Sequence, residues 1–126
     1  MTAQAVPAKS GLSITSGFQQ TFTVSAEAEL SFGPPRQSPI GLDITSTGEI
    51  TISLAPAGGA AGVAKLHVFE RSAVPIGFTA TAWQGEKVIA VAKLCGHREL
   101  DSWVALPAGT TRVDVSDFVT VEDGCT

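Results

Sequence analysis

The sequence predicts an all-β fold, a two-sheet antiparallel β-sandwich of jelly-roll-like design with about eight or nine strands. Three observations carry that prediction. First, the chain alternates strictly from Phe18 to Phe32. Phe18, Phe22, Val24, Ala26, Ala28, Leu30 and Phe32 share one parity, interrupted only by Gln20, while Gln19, Thr21, Thr23, Ser25, Glu27, Glu29 and Ser31 fill the other. Successive side chains on a strand point to opposite faces, so this segment writes one apolar and one hydroxyl-rich face. Second, turn residues recur at short intervals along the rest of the chain. Third, no helical period is sustained anywhere.

Taken in order, residues 1–10 lack periodicity and carry Pro7 and Lys9-Ser10, which predicts a flexible N-terminal arm before one domain over 11–126. Leu12 and Ile14 predict a short strand ending at Ser16-Gly17. The alternating strand follows and stops at Gly33-Pro34-Pro35, where prolines remove ladder donors. A strand running from 18 to 32 would span about 50 Å at about 3.3 Å per residue, so a bend, a bulge or a crossing between sheets is expected within it. A short helix over 25–30 is the local competitor. Ile40, Leu42, Ile44 and then Ile50, Ile52, Leu54 flank Ser46-Thr47-Gly48 and predict a hairpin. Residues 55–62 read as a loop, and Leu66 and Val68 mark the next strand.

Ile76 to Leu94 predicts a second hairpin with a two-residue turn at Gln84-Gly85. That turn pairs Trp83 with Glu86, Ala80 with Ile89 and Phe78 with Val91. Ile76, Phe78, Ala80, Ile89 and Val91 then face the core, and Trp83, Val88, Thr79 and Thr81 face outward. Trp103, Val104 and Leu106 form a strand, with Trp103 expected in the core, closed by Pro107-Ala108-Gly109-Thr110. Val113, Val115, Val119 and Val121 complete the sandwich. Phe118 is out of phase with them, which predicts a bulge near Ser116-Asp117.

Composition narrows the function classes. Of 126 residues, 16% are charged, below the usual quarter or so, and Thr and Ser carry much of the solvation. The net charge is −4 and the Lys and Arg residues are scattered singly. A nucleic-acid partner needs a basic stripe, and none is written here. No apolar run approaches the roughly 20 residues of a membrane helix, and the N-terminus has neither the charged region nor the apolar core of a signal peptide. A cytoplasmic or virion location is the expectation.

The candidate chemistry is sparse. His67, Cys95, His97 and Cys125 offer one close pair and two distant singles, a poor match to zinc-site spacing. Cys95 and Cys125 could form a disulfide in an oxidising compartment. Cys95 with His67 or His97 could form a nucleophile–base pair. Asp114, Asp117, Glu122 and Asp123 give a weak calcium alternative without EF-hand spacing. Glu27 and Glu29 share parity and read as a solubilising stripe rather than a catalytic pair. Trp83, flanked by Val88, Thr79 and Thr81, is the expected contact patch, because an outward Trp near a turn anchors a partner or stacks on a sugar. No cofactor is implied.

These features predict a non-enzymatic structural or assembly protein. It would pack with copies of itself as a homo-oligomer, with other structural proteins or with a larger particle, such as a virion decoration or tail component. The alternative is a carbohydrate-binding, lectin-like module with glycan partners, in calcium-dependent form if the acidic loop takes part. A small Cys-dependent enzyme is third.

Overall fold

The computed structural model describes residues 6–7, 12–25, 31–56, 63–72, 76–95 and 101–120. Among them the chain forms β1 (Val6–Pro7), β2 (Leu12–Thr15), β3 (Phe18–Ser25), β4 (Ser31–Phe32), β5 (Arg36–Pro39) and β6 (Glu49–Ala55). The second half supplies β7 (Val63–Glu70), β8 (Ile76–Gln84), β9 (Lys87–Cys95), β10 (Asp101–Pro107) and β11 (Arg112–Thr120). The larger sheet has the order β1-β4-β3-β6-β7-β10, with β5 beside the first half of β3, and the smaller has the order β2-β11-β8-β9. All pairings are antiparallel. The predicted two-sheet sandwich is the fold. No helix among the described residues is long and apolar enough to cross a membrane.

Alternation builds the core. Ile50, Ile52 and Leu54 of β6, Ala64, Leu66 and Val68 of β7, and Val113 and Val115 of β11 are all buried between the sheets. Phe22 and Phe32 of the larger sheet meet Phe118 of the smaller edge-on, at centroid distances of 6.3 and 4.6 Å, and Phe78 lies 5.5 Å from Phe118. Such edge-on pairs add to the stabilisation that burial alone supplies. Phe118 reaches this cluster because β11 shifts register between Ser116 and Val119, with Asp117 at a positive φ of 56°. The predicted bulge therefore sits where it was expected. It turns Phe118 inward and leaves Val119 exposed.

β7 pairs with β10 around the β8–β9 hairpin, alternating sheets. The next strand outward, β6, stays beside β7, and β11 pairs instead with β2 from the start of the chain.

Four local expectations are corrected. The alternation from 18 to 32 is not one strand: β3 ends at Ser25, and β4 returns antiparallel to it, with Val24 opposite Phe32. Just after β4, Gly33 lies against Thr23, where a Cβ would meet the Thr23 hydroxyl and force it to turn aside. The Ile40–Ile44 run is not a strand, because both edges of β6 are already taken by β3 and β7. The β8–β9 turn is Gly85-Glu86, one residue later than expected, with Gly85 at a φ of 60° and Gln84 opposite Lys87. A register shift beside Ala82 then places Val91 opposite Thr81, so Val91 faces outward and is 63% exposed. Finally, Trp103 lies on the outer face of β10 and is 59% exposed, not in the core.

Of the predicted arm, Val6–Pro7 pair with β4, and its other residues lie outside the described set. So do Glu27, Glu29 and, apart from Ser25 at the end of β3, the helix considered over 25–30.

Gln20 has a reason to interrupt the apolar parity. Its Nε2 donates to the Ser13 carbonyl on β2, 3.2 Å away, and to Gln37 Oε1, 2.9 Å away. It thus ties β3 of the larger sheet to the edge strand β2 of the smaller, a link that an apolar side chain could not make.

Candidate functional site

The outer face of the larger sheet carries the most unusual surface in the molecule, and the 40–48 segment makes it. This stretch leaves β5 at Pro39, turns at Gly41 (φ 87°) and crosses over the hydroxyl side of β3 and β6 before β6 begins. Gln19 and Thr21, which alternation alone would expose, are buried beneath it. Gln19 Nε2 donates to the Asp43 carbonyl (3.1 Å), and the Gly41 amide donates back to Gln19 Oε1 (3.2 Å). The hydroxyls of Thr45, Thr51 and Thr21 form a buried chain of hydrogen bonds. Arg71 Nη1 donates to the Thr45 carbonyl from the end of β7 (3.0 Å).

One cation fixes the rest of the segment. Arg36 of β5 donates through Nη1 to Glu49 Oε2 at 2.6 Å, through Nη2 to Oε1 at 3.3 Å, and through Nε to Asp43 Oδ2 at 2.9 Å. The Ser46 amide also donates to Glu49 Oε1, at 2.8 Å. Glu49 is buried, yet its carboxyl is held below the usual glutamate range. The Arg36 hydrogen bond dominates there, against the opposing effect of burial. The same partners, Glu49 first and then Asp43, raise the Arg36 pKa.

A loop held this firmly presents its side chains in fixed positions. Leu42 is 77% exposed and Ile44 78%. Ile40 is also exposed, and it stands between two connected hollows on the sheet face. One, of about 460 Å³, lies among Gln19, Ile40, Asp43, Ile44, His67 and Phe69. The other, of about 320 Å³, runs past Ser53 and Lys65 to Trp103. Ile40, Ser53 and His67 border both, so together they form one groove from the loop to the β10 edge. Lys65 Nζ sits 4.8 Å from the Trp103 ring centroid, a cation–π contact at the end of the groove.

The patch expected at Trp83 is built differently. Trp83 does face outward, opposite Arg112 and Val88 in the register, and Val88 is exposed. Its ring is half-buried, because the Arg112 guanidinium stacks 4.7 Å from the centroid. Arg112 Nε lies 3.2 Å from Asp114 Oδ1, which also accepts from Ser13 Oγ at 2.7 Å. Asp114 is therefore engaged within the sheet. Thr79 borders a separate hollow of about 460 Å³ beside the β11 bulge, with Lys93, Asp117 and Val119, while Thr81 lies in the next row along, opposite Asp114.

Among the described residues no three His, Cys, Asp or Glu side chains come close enough to hold a metal ion. Glu122 and Asp123, the remaining calcium candidates, lie outside the described residues, as do His97 and Cys125. His67 lies on β7 of the larger sheet and the Cys95 backbone on β9 of the smaller. The Cys95–Cys125 pairing is likewise outside what is described.

Sequence reading missed Ile40, Leu42, Ile44 and Trp103 as surface residues. For the first three the available signal was Pro39, which ends β5 immediately before Ile40, and for Trp103 it was a parity opposite to that of Val104 and Leu106. No protein-family model matches the chain, and neither does any curated protein or solved structure.

Proposed function

We propose that this chain is a non-enzymatic assembly module that binds protein partners through the outer face of its larger sheet. The observation that carries this reading is the pairing of exposed aliphatic side chains with a rigid support. Leu42 and Ile44 protrude from a segment tied to β3, β5, β6 and the end of β7 by ion pairs and hydrogen bonds. Preorganised apolar side chains around a groove suit a protein partner, since little conformational entropy remains to be lost on docking. Trp103 is the large aromatic anchor at the groove's end.

The test is sedimentation velocity across a wide concentration range, alone and with candidate partner proteins, on the wild type and on Leu42→Asp/Ile44→Asp. The reading expects association that the double variant abolishes while its folding is retained. Association unaffected by the double variant overturns it.

A carbohydrate-binding reading has one observation in its favour: the exposed Trp103 ring lies near Ser53, His67 and Lys65, which could serve sugar hydroxyls. Glycan binding lost in Trp103→Ala but retained in Leu42→Asp/Ile44→Asp would favour the sugar over the protein partner.

A further inference from the structure

Each sheet ends in edge strands, and the edges are not equally defended. β2 and β5 are four residues long, and β5 follows Pro34-Pro35 and ends at Pro39. β1 is two residues long and contains Pro7. β9 is nine residues long but carries Lys87 and Lys93 and a register irregularity. Short strands, lysines, prolines and bulges are the devices that stop a sheet from extending into a neighbour.

β10 has only one of these, Pro107 at its last position. It runs seven residues, Asp101 to Pro107, and the five between those ends, Ser102-Trp103-Val104-Ala105-Leu106, are uncharged. It pairs with β7 on one side, and no strand among the described residues pairs with the other. Val104 and Leu106 pack toward the core, while Trp103 and Ala105 are exposed on the outer face.

We propose that a second copy of this chain occupies this edge, β10 pairing antiparallel with β10 of its partner about a two-fold axis. The proposal rests on the assembly reading above and names the partner and the joint. An antiparallel strand is self-complementary under a two-fold axis, so one surface serves both copies. With Val104 opposite Val104, the two strands overlap over all seven residues, with Pro107 at each end donating no hydrogen bond. Trp103 of each copy then lies opposite Ala105 of the other on the outer face, and each Asp101 falls opposite a proline rather than an acid. The joint is uncharged at its centre, so the net charge of −4 on each chain places no repelling pair in it. The two grooves, each ending at Trp103, become one surface across the dimer. About seven residues a side is short of the usual 20–30, so the dimer is reversible and concentration-dependent.

Sedimentation equilibrium combined with residue-resolved amide exchange tests it. The expected result is a monomer–dimer equilibrium in which alternate β10 amides exchange about tenfold more slowly, or slower still, as concentration rises. Ala105→Asp, at an exposed position, is expected to shift that equilibrium to monomer without loss of folding. A strict monomer at high concentration overturns the proposal, as does a dimer whose β10 exchange is unchanged or that survives Ala105→Asp. If Leu42→Asp/Ile44→Asp abolishes association and Ala105→Asp does not, the edge joint fails while the groove reading stands.

Discussion

The two outer faces of this sandwich each carry a tryptophan with a cation over its ring, but one face is closed and the other open. Trp83 and Arg112 stack within a ladder that continues through an ion pair to Asp114 and on to Ser13, although the buried Trp83 Nε1 has no hydrogen-bond partner. Trp103 and Lys65 stand at the β10 edge beside a groove, with exposed aliphatic side chains at the other end. The difference follows from position in the sheets. Trp83 has paired strands on both sides, β11 and β9, whereas among the described residues Trp103 has a paired strand on one side only, β7. A tryptophan–cation pair thus stabilises the fold in one place, with arginine, and borders a groove in the other, with lysine.

The largest expected effect comes from removing the support of the open face. Arg36→Ala leaves Glu49 and Asp43 without their cation, and Glu49 is buried. Breaking a fully buried pair costs about 3–5 kcal/mol; Arg36 is half-exposed, so about 2 kcal/mol is expected here. Urea unfolding measures that loss. If the open face depends on its ties, exchange of the 40–48 amides should rise in the same variant while β8 and β11 amides stay protected. Uniform loss of protection would break the comparison.

The same ion pair predicts an acid response. The Glu49 carboxyl is held low in the folded state, chiefly by Arg36, so its contribution is complete above the ordinary glutamate value of 4.5. It is lost as pH falls below that value and through the lower folded one. Urea midpoints for wild type and Arg36→Ala should therefore differ at neutral pH and converge in acid. A gap that stays constant down to about pH 3 would show that Glu49 is not the group responsible.

Truncating each tryptophan sharpens the contrast. Trp83→Ala removes a half-buried ring that packs under Arg112 and should destabilise by about 2 kcal/mol. Trp103→Ala should cost less than about 1 kcal/mol, since most of its ring is already in water. Acrylamide quenching of the single-tryptophan proteins Trp83→Phe and Trp103→Phe should rank Trp103 as the more accessible. Equal quenching would remove the distinction between the faces.

How much of this was legible beforehand differs between the same two regions. The smaller sheet was read well, because β8, β9 and β11 are long alternating runs and the Phe118 phase break marked its bulge. Its failures were local: a turn shifted by one residue, which leaves the parity of β9 unchanged, and an irregularity beside Ala82, which reversed Val91. Period-2 patterning fixes a face only while the register holds. The larger sheet was read less well because its errors lie in tertiary occupancy. Ile40, Leu42 and Ile44 alternate like a strand, and nothing local reveals that β6 has no edge left to accept them. Gln19 and Thr21 look solvent-facing until the 40–48 segment covers them. Trp103 looks like core because large aromatics usually are, but its parity, opposite to that of the core-facing Val104 and Leu106, puts it on the outer face.

The smallest effect on stability, at the side chains that define the open face, bears most on function. Leu42 and Ile44 are more than three-quarters exposed, and replacing them with serine removes almost no buried area. Substitutions at such sites usually change stability by no more than about 0.5 kcal/mol. The backbone ties of the loop run through Asp43, Thr45 and Ser46, which the replacements leave in place. Leu42→Ser/Ile44→Ser should therefore unfold at the wild-type urea midpoint while its binding weakens. Such a decoupling would mean that the aliphatic side chains are maintained for a partner and not for the fold. A substantial fall in the midpoint would mean that they support the segment they protrude from, and the open face would then be no more than the rim of a loop.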